Sequence, residues 1–245
     1  MSARATGATT LRVLRQLRRD PRTIALLVVV PCALVFLVDQ LFADRPLVFQ
    51  QVGVPLLGLF PLVSMFLVTS ITMLRERTSG TLERLLTLPL EKLDLLVGYA
   101  IAFAAVAAVQ ATIVSLVGFG LLDLTVVNSK LLVIALAVAN AVLGMALGLF
   151  LSAFARTEFQ AVQFMPAFIL PQILLCGLLV PREEMAEWLQ WVSALMPFTY
   201  AYDALSRAAS DSDLGAAFWA DVLVVGGVTV FALALGAGTL RRRTP

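Results

Sequence analysis

Long stretches of apolar residues recur along the whole chain of 245 residues. Several reach about 20 residues, and at a rise of about 1.5 Å per residue each such helix could cross a hydrocarbon core about 30 Å thick. Charged residues make up only 14% of the chain, compared with about 25% in soluble globular proteins. Because backbone amides in lipid must be bonded within the chain, these stretches are expected to be helical. The sequence therefore predicts an all-α membrane protein.

Six of these stretches are predicted to span the membrane, and together they form a single transmembrane domain, 1–245. No soluble domain is expected between them, since the longest interruption, about 181–215, has an apolar helical pattern of its own. The predicted spans are 23–42, 52–74, 95–121, 131–155, 159–180 and 216–240.

The residues before the first span predict an amphipathic helix at 8–20. Leu11, Leu14 and Leu17 recur at helical spacing, and four arginines lie largely on the opposite face. Such a helix is expected to lie in the membrane interface. Asp20 then offers an N-cap, and Pro21 is a favoured first residue for the spanning helix that follows.

The distribution of basic residues predicts the orientation. With six spans and a cytoplasmic N-terminus, fourteen of the eighteen Lys and Arg residues fall on the cytoplasmic side. Cytoplasmic segments of membrane proteins are enriched in Lys and Arg. Both termini, and the polar segment between the second and third spans, are therefore expected in the cytoplasm.

That polar segment reads RERTSGTLERLLTLPLEK and runs from Arg75 to Lys92. Its four basic residues are balanced by acidic residues through 94, whereas a lipid-binding patch would be strongly basic. Gly80 could cap a short helix, 80–89, that ends at Pro89. Leu82, Leu85 and Leu86 would share one face of it. The segment is either an ordinary connector or a docking element, with an apolar anchor and charges of both signs, for another protein.

The segment before the last span carries a second amphipathic pattern. Trp188 and Trp191 suit the headgroup region, and Met196 and Pro197 interrupt the helical pattern. We expect one or two short helices, 185–205, that enter the outer leaflet and return. Asp221, early in the last span, is expected near the outer headgroups in a solvated or capping role.

A few polar residues fall within the predicted spans and are candidates for a substrate path. They could line a route for an amphipathic solute, or they could form interhelical hydrogen bonds, which contribute about 0.6 kcal/mol on average. The candidates are Gln110, Asn140, Gln163 and Gln172. The chain has no His, and its two Cys residues lack metal-ligand spacing, so no metal site is expected.

Two blocks of the sequence resemble the permeases of ABC-2 type exporters, which include the daunorubicin-type drug-resistance permeases. The first block has GTLE at 80–83, Leu85 and Leu86, Pro89 and then Gly98. The second block contains Pro181, the Trp-containing segment, PFTY at 197–200, Asp203 and Leu205.

The resemblance implies a subunit that pairs with a second copy or a related permease, above two cytoplasmic ATPase subunits. In the family the loop after the second span is a coupling helix that docks on the ATPase. By position that role falls on Glu76, Gly80, Thr81, Leu82, Glu83, Leu85, Leu86 and Pro89. The resemblance also implies an outer gate around Pro181, Trp188, Pro197 and Tyr200.

The sequence has no nucleotide site of its own. Neither Lys92 nor Lys130 lies in a G-x-x-x-x-G-K-[ST] loop, so ATP and Mg²⁺ are expected on the partner ATPase. The expected role is export of drug-like or lipid-like amphiphiles across a bacterial inner membrane. An integral-membrane enzyme, or an immunity or assembly protein, is the alternative; the outer acidic cluster at 183–187 is interpreted as a solvated face.

Overall fold

The computed structural model describes residues 2–81 and 92–239. Within these ranges the protein is helical and has no strand, which confirms the all-α prediction. The α-helices are α1 (Ala3–Arg18), α2 (Pro21–Leu41), α3 (Pro46–Thr78), α4 (Lys92–Gly120), α5 (Lys130–Leu151), α6 (Glu158–Phe164), α7 (Leu170–Leu175), α8 (Glu187–Ala194), α9 (Pro197–Ser210) and α10 (Ala216–Thr239).

Five of these helices, α2, α3, α4, α5 and α10, are long and apolar enough to cross a membrane. The protein is thus a multi-pass membrane protein. The remaining predicted span, 159–180, which is the fifth in chain order, is not one regular α-helix. Its residues form α6, a π-helix from Met165 to Ile169, and α7, and the helical conformation ends at Leu175.

Two prolines explain why the segment 158–175 departs from a regular helix. Pro166 and Pro171 lack the N–H that a regular α-helix would donate to the carbonyl four residues earlier. The π-helix contains Pro166 and ends two residues before Pro171. Irregular turns of this kind occur where the normal hydrogen-bond ladder is interrupted.

The centre of the bundle is the contact between α3 and α5. In the most apolar stretch of each helix, 67% of α3 and 61% of α5 is buried, against 17% of α2 and 22% of α10. Gly144 and Gly148 of α5 face the backbone of α3 at Leu62 and Phe66. This is a G-x-x-x-G spacing, which lets two helix backbones approach closely.

Helix α1 is longer than predicted and packs mainly on α4. Its buried stripe is Thr9, Val13 and Leu17, whereas Leu11 is 54% exposed. The close contact with α4 is made by Thr9, which packs against Gly98. The position of α1 in the membrane interface stays a prediction.

The start of α2 follows the prediction. The Asp20 side chain accepts hydrogen bonds from the Thr23 backbone N–H at 3.2 Å and from the Thr23 hydroxyl at 2.6 Å. Pro21 is the first helical residue. The two hydrogen bonds lower the pKa of Asp20, because they stabilise its charged form.

Candidate functional site

A polar cluster joins α1, α3 and α4 at the end of α3, where the polar segment 75–92 begins. Arg12 of α1 lies 3.4 Å from the carboxylate of Glu76, near the end of α3. The same guanidinium donates a hydrogen bond to the hydroxyl of Tyr99 in α4. Glu76 is only 4% exposed and Tyr99 is fully buried. A carboxylate buried this deeply depends on its partner, so Arg12 holds the three helices together.

More polar contacts attach α1 to the start of α4. The Asp94 carboxylate accepts a hydrogen bond from the Ser2 backbone N–H at 2.9 Å and a longer one from the Thr6 hydroxyl at 3.4 Å. The Thr10 hydroxyl donates to the Gly98 carbonyl at 3.1 Å. Helix α1 is therefore attached over most of its length, and a displacement of α3 or α4 at this end is expected to displace α1 as well.

The structure describes three of the eight residues predicted to couple to an ATPase. Glu76 is buried against Arg12, so it lies inside the helix junction rather than on an exposed surface. Gly80 has a φ of +69°, a conformation that glycine adopts without strain, and it follows the last residues of α3. The Thr81 hydroxyl is 2.9 Å from that of Ser79. The other five, Leu82, Glu83, Leu85, Leu86 and Pro89, lie outside the described residues.

A shallow depression of about 400 Å³ lies at the end of α3, beside this junction. Across it, Arg75 donates two hydrogen bonds to the Glu158 carboxylate, at 2.7 and 3.0 Å. Both side chains are more than half exposed, and exposed ion pairs contribute at most about 1 kcal/mol. The lining of the depression is polar and includes charges of both signs. It consists of Gln16, Arg75, Glu76, Thr78, Ser79, Thr81 and Glu158.

Gln110, a predicted substrate-path residue, has a structural function in this arrangement. Pro31 lies inside α2 and cannot donate to the carbonyl of Leu27. The Gln110 side-chain amide of α4 donates to that carbonyl at 2.7 Å instead. In a lipid environment a freed carbonyl needs such a partner. The pairing explains how α2 tolerates an internal proline.

We expect Gln110→Met to destabilise the protein by about 1 kcal/mol, within the range of interhelical hydrogen bonds in membrane proteins. Pro31→Ala should remove most of that loss, because the backbone N–H of alanine at position 31 can donate to the Leu27 carbonyl. A double-mutant cycle of thermal unfolding in detergent measures the coupling between Gln110 and Pro31. Equal losses from Gln110→Met in the wild-type and Pro31→Ala backgrounds would refute the pairing.

The other three substrate-path candidates lie in separate environments. The Asn140 side-chain amide of α5 donates to the Ala201 carbonyl of α9 at 3.1 Å. The Gln172 side-chain amide donates to Phe168, one turn earlier in its own helical segment, at 2.9 Å. Gln163 is exposed on α6. The hydrogen bonds of Asn140 and Gln172 give them structural roles, and a role in transport stays a prediction for all four residues.

The four residues predicted for the outer gate lie around α8 and α9. Pro181 precedes a short 3₁₀-helix, Arg182–Glu184, and Pro197 begins α9. The Tyr200 hydroxyl donates to the Ala194 carbonyl at 2.7 Å, which closes the corner between the two helices. Trp188 is 67% exposed on α8. Two helices, α8 and α9, thus occupy this region, and their entry into the outer leaflet stays a prediction.

Two hydroxyl groups fix the same corner: that of Ser193, which the sequence patterns did not single out, and that of Thr199, which belongs to the PFTY block. Ser193 donates to the Leu175 carbonyl at the end of α7, at 2.8 Å. Thr199 donates to the Ser193 carbonyl at 2.8 Å. Both side chains are fully buried. The end of α7 is therefore attached to the corner between α8 and α9.

Two ion pairs involve α9, one with the 3₁₀-helix that precedes α8 and one with α10. Arg182 lies 3.0 Å from Asp203, and Arg207 lies 3.1 Å from Asp221. Burial raises the pKa of Asp203 to about 6, against the opposing effect of Arg182. Asp203 therefore loses its charge as the pH falls, which leaves the Arg182 guanidinium without an anionic partner. The solvated role predicted for Asp221 was wrong, because its carboxylate is buried and paired with Arg207.

Sequence signals for two of these features were present. The glycines at 144 and 148 have the spacing typical of close helix contacts. The acid Asp221, inside an apolar stretch, required a cationic partner. Which arginine supplies it depends on the fold of the outer segment, since Arg207 and Asp221 lie on different helices.

A family profile and two individual proteins that resemble this chain all belong to ABC transporters. The sequence profile described as "ABC-2 type transporter" matches residues 4–208. The chain is 33% identical over 147 residues to the "Probable multidrug ABC transporter permease YbhR" of Escherichia coli (strain K12), which covers 59% of this chain and 40% of that protein. It is 27% identical over 138 residues to the "ABC transporter G family member 20" of Dictyostelium discoideum, which covers 56% of this chain and 19% of that protein. The chain thus matches less than half the length of either relative.

Proposed function

Because the chain belongs to the family of ABC-2 type transporters, we propose that it is the permease subunit of an ATP-driven exporter of hydrophobic or amphipathic compounds. Membership of this family identifies a membrane transport component that works with an ATPase. The name of the Escherichia coli relative refers to multidrug transport, which supports drug-like amphiphiles as substrates. A second copy of the chain, or a related permease, would complete the translocation path.

We place the protein in a bacterial inner membrane with both termini in the cytoplasm. The excess of Lys and Arg in alternate connections supports this orientation. The orientation requires a sixth crossing between α5 and α10. The segment 158–175 is helical throughout and begins beside Arg75, at the same end of the bundle as the polar segment after α3. It ends near α8 and α9, which supports a crossing towards the outer side.

The observation that carries the coupling proposal is the Arg12–Glu76–Tyr99 cluster. It joins three helices at the start of the polar segment that the family resemblance assigns to ATPase docking, since Glu76 is the second residue of that segment. The depression with charges of both signs lies next to it. An ATPase that pushes on this segment would move α1, α3 and α4 together, since the buried pair resists their separation. ATP and Mg²⁺ would be bound by the ATPase.

At the outer end, the Arg182–Asp203 and Arg207–Asp221 pairs support a gate formed by α8, α9 and their connections. Asn140, within α5, is bonded to α9, so α9 reaches a level inside the bundle. This contact supports a segment that enters the outer leaflet and returns. Opening of the gate would require rearrangement of these polar contacts.

The docking proposal is tested by co-purification with an ABC ATPase encoded beside this chain. Leu86→Asp places a charge on the predicted apolar face of the polar segment, and it is expected to reduce ATPase recovery at least tenfold with unchanged membrane insertion. Val127→Asp, an exposed position in the connection between α4 and α5, is the matched control and should leave recovery unchanged. Undiminished ATPase recovery with Leu86→Asp would refute docking through this segment.

A further inference from the structure

A groove of about 260 Å³ opens between α1, α2 and α4, away from the Arg12–Glu76–Tyr99 cluster. Its walls are apolar except for Arg18, Thr23 and Gln110. Its volume approaches the lower end of the range for small-molecule pockets, about 300 Å³. The apolar lining is Leu14, Leu17, Ile24, Leu27, Val28, Ala105, Val106 and Val109.

One polar atom in the groove wall lacks a partner. Gln110 is fully buried, and its amide nitrogen is committed to the Leu27 carbonyl. Its side-chain oxygen has no hydrogen bond within the described part of the chain. A buried acceptor left unpaired costs about 1–3 kcal/mol. A ligand with an O–H or N–H group would remove that cost.

The charges at the mouth of the groove favour an anion. Arg18 lines the groove, is exposed, and has no ion pair within residues 2–81 and 92–239. Arg19 and Arg22 follow Arg18 in sequence, outside the groove lining, and the one acid among them, Asp20, has its carboxylate bonded to Thr23. Thr23 lies about one helical turn, roughly 6 Å along α2, from Leu27, whose carbonyl is bonded to Gln110. The groove therefore combines a cationic mouth, an apolar body and an internal hydrogen-bond acceptor.

We propose that this groove binds an anionic amphiphile that carries a hydroxyl or amide donor close to its acidic group. The acid would pair with Arg18, the chain would lie against α2 and α4, and the donor would bond to the Gln110 side-chain oxygen. On the topology proposed above, the mouth faces the cytoplasmic leaflet, from which such an amphiphile can enter. Binding in this groove does not depend on the exporter proposed above. Only the view that the bound amphiphile is a transported compound rests on that proposed function.

Binding is measured on the purified full chain, without the ATPase, by native mass spectrometry. Three probes separate the contributions: 3-hydroxytetradecanoate, tetradecanoate, and 1,3-tetradecanediol. The hydroxy acid is expected to bind about fivefold more tightly than tetradecanoate, since one hydrogen bond contributes about 1 kcal/mol. The diol, which has the hydroxyl but no charge, should bind more weakly than the hydroxy acid.

Matched variants assign each contribution to its residue. Arg18→Gln should weaken both acids about tenfold and leave their ratio unchanged, whereas Arg15→Gln, an exposed arginine of the same helix outside the groove, should change neither. Gln110→Met combined with Pro31→Ala removes the acceptor while Leu27 regains a backbone donor. This pair should abolish the preference for the hydroxy acid and retain tetradecanoate binding. Ala105→Trp, which fills the groove, should abolish binding of both acids.

Equal affinity of the wild-type chain for the two acids would overturn the proposal, as would equal effects of Arg18→Gln and Arg15→Gln. Binding that persists in Ala105→Trp would place the amphiphile elsewhere and refute the site even if the Gln110 variants do not fold. The expected binding pattern without any ATP-dependent transport would contradict the exporter and leave the groove proposal standing. The two proposals can therefore fail separately.

Discussion

Gly144→Ala is expected to separate α3 from α5 and to leave most of the protein unfolded or aggregated after extraction. An alanine Cβ at this position would lie 2.0 Å from the Leu62 carbonyl oxygen, and at Gly148 it would lie 2.4 Å from that of Phe66. Both obstacles are backbone atoms, so no side-chain rotation relieves them. Alanine gains about 1 kcal/mol in helix propensity, whereas overpacking a core costs typically about 1–3 kcal/mol and occasionally more, and the rigid backbone obstacle here favours the upper end. The clash therefore dominates.

The measurement is the folded fraction in size-exclusion chromatography, together with the melting temperature in detergent. Gly227→Ala is the matched control, because it is also a glycine in a spanning helix but nothing lies within 4 Å of a Cβ there. The control should keep or slightly raise the melting temperature. A Gly144→Ala protein that melts like the control would contradict the close packing of α3 against α5.

Arg12→Ala is expected to abolish ATP-driven transport and to lower the free energy of unfolding by about 2 kcal/mol. Removing one member of a fully buried ion pair costs about 3–5 kcal/mol because the other charge is left without a partner. Arg12 is about one-third exposed whereas Glu76 is buried, so solvent reduces the loss. Transport is expected to fail because α1 and α4 would lose their shared contact with the end of α3.

The double variant Arg12→Ala with Glu76→Gln distinguishes an effect on the free energy of unfolding from an effect on ATP-driven transport. The double variant no longer buries an unpaired charge, so we expect most of the stability to return and transport to remain below a tenth of wild type. Arg15→Ala, an exposed arginine on the same helix, controls for loss of charge and should retain both properties. Stability and transport both restored in the double variant would show that the cluster has only a structural role.

The sequence was sufficient to predict the helical membrane fold and the start of α2. Apolar length determines whether a helix can span a bilayer, and Asp20 followed by Pro21 specifies a helix start through local hydrogen bonds. Two sequence blocks also indicated the family to which the chain belongs. These features depend on neighbouring residues, and for this reason no tertiary information was needed.

The features that the sequence did not predict depend on contacts between distant residues. The close contact between α1 and α4 is made by Thr9 against Gly98, whereas the sequence pattern pointed only to the leucines of α1. Asp221 is paired with Arg207, which no periodicity reveals. In the segment 158–175 apolar length predicted one span, whereas the local interruption by Pro166 and Pro171 gives two short α-helices joined by a π-helix.

The central claim is that the chain forms an ATP-driven path for amphiphiles, and transport in reconstituted vesicles tests it most directly. The chain would be co-reconstituted with its ABC ATPase, with the nucleotide-binding face outward, and Hoechst 33342 would serve as a fluorescent drug-like amphiphile. The account predicts accumulation of the dye in the lumen that requires ATP, the ATPase and the wild-type polar segment, and that Leu86→Asp abolishes. Accumulation at the same rate without nucleotide, or with an ATPase that cannot hydrolyse ATP, would contradict it.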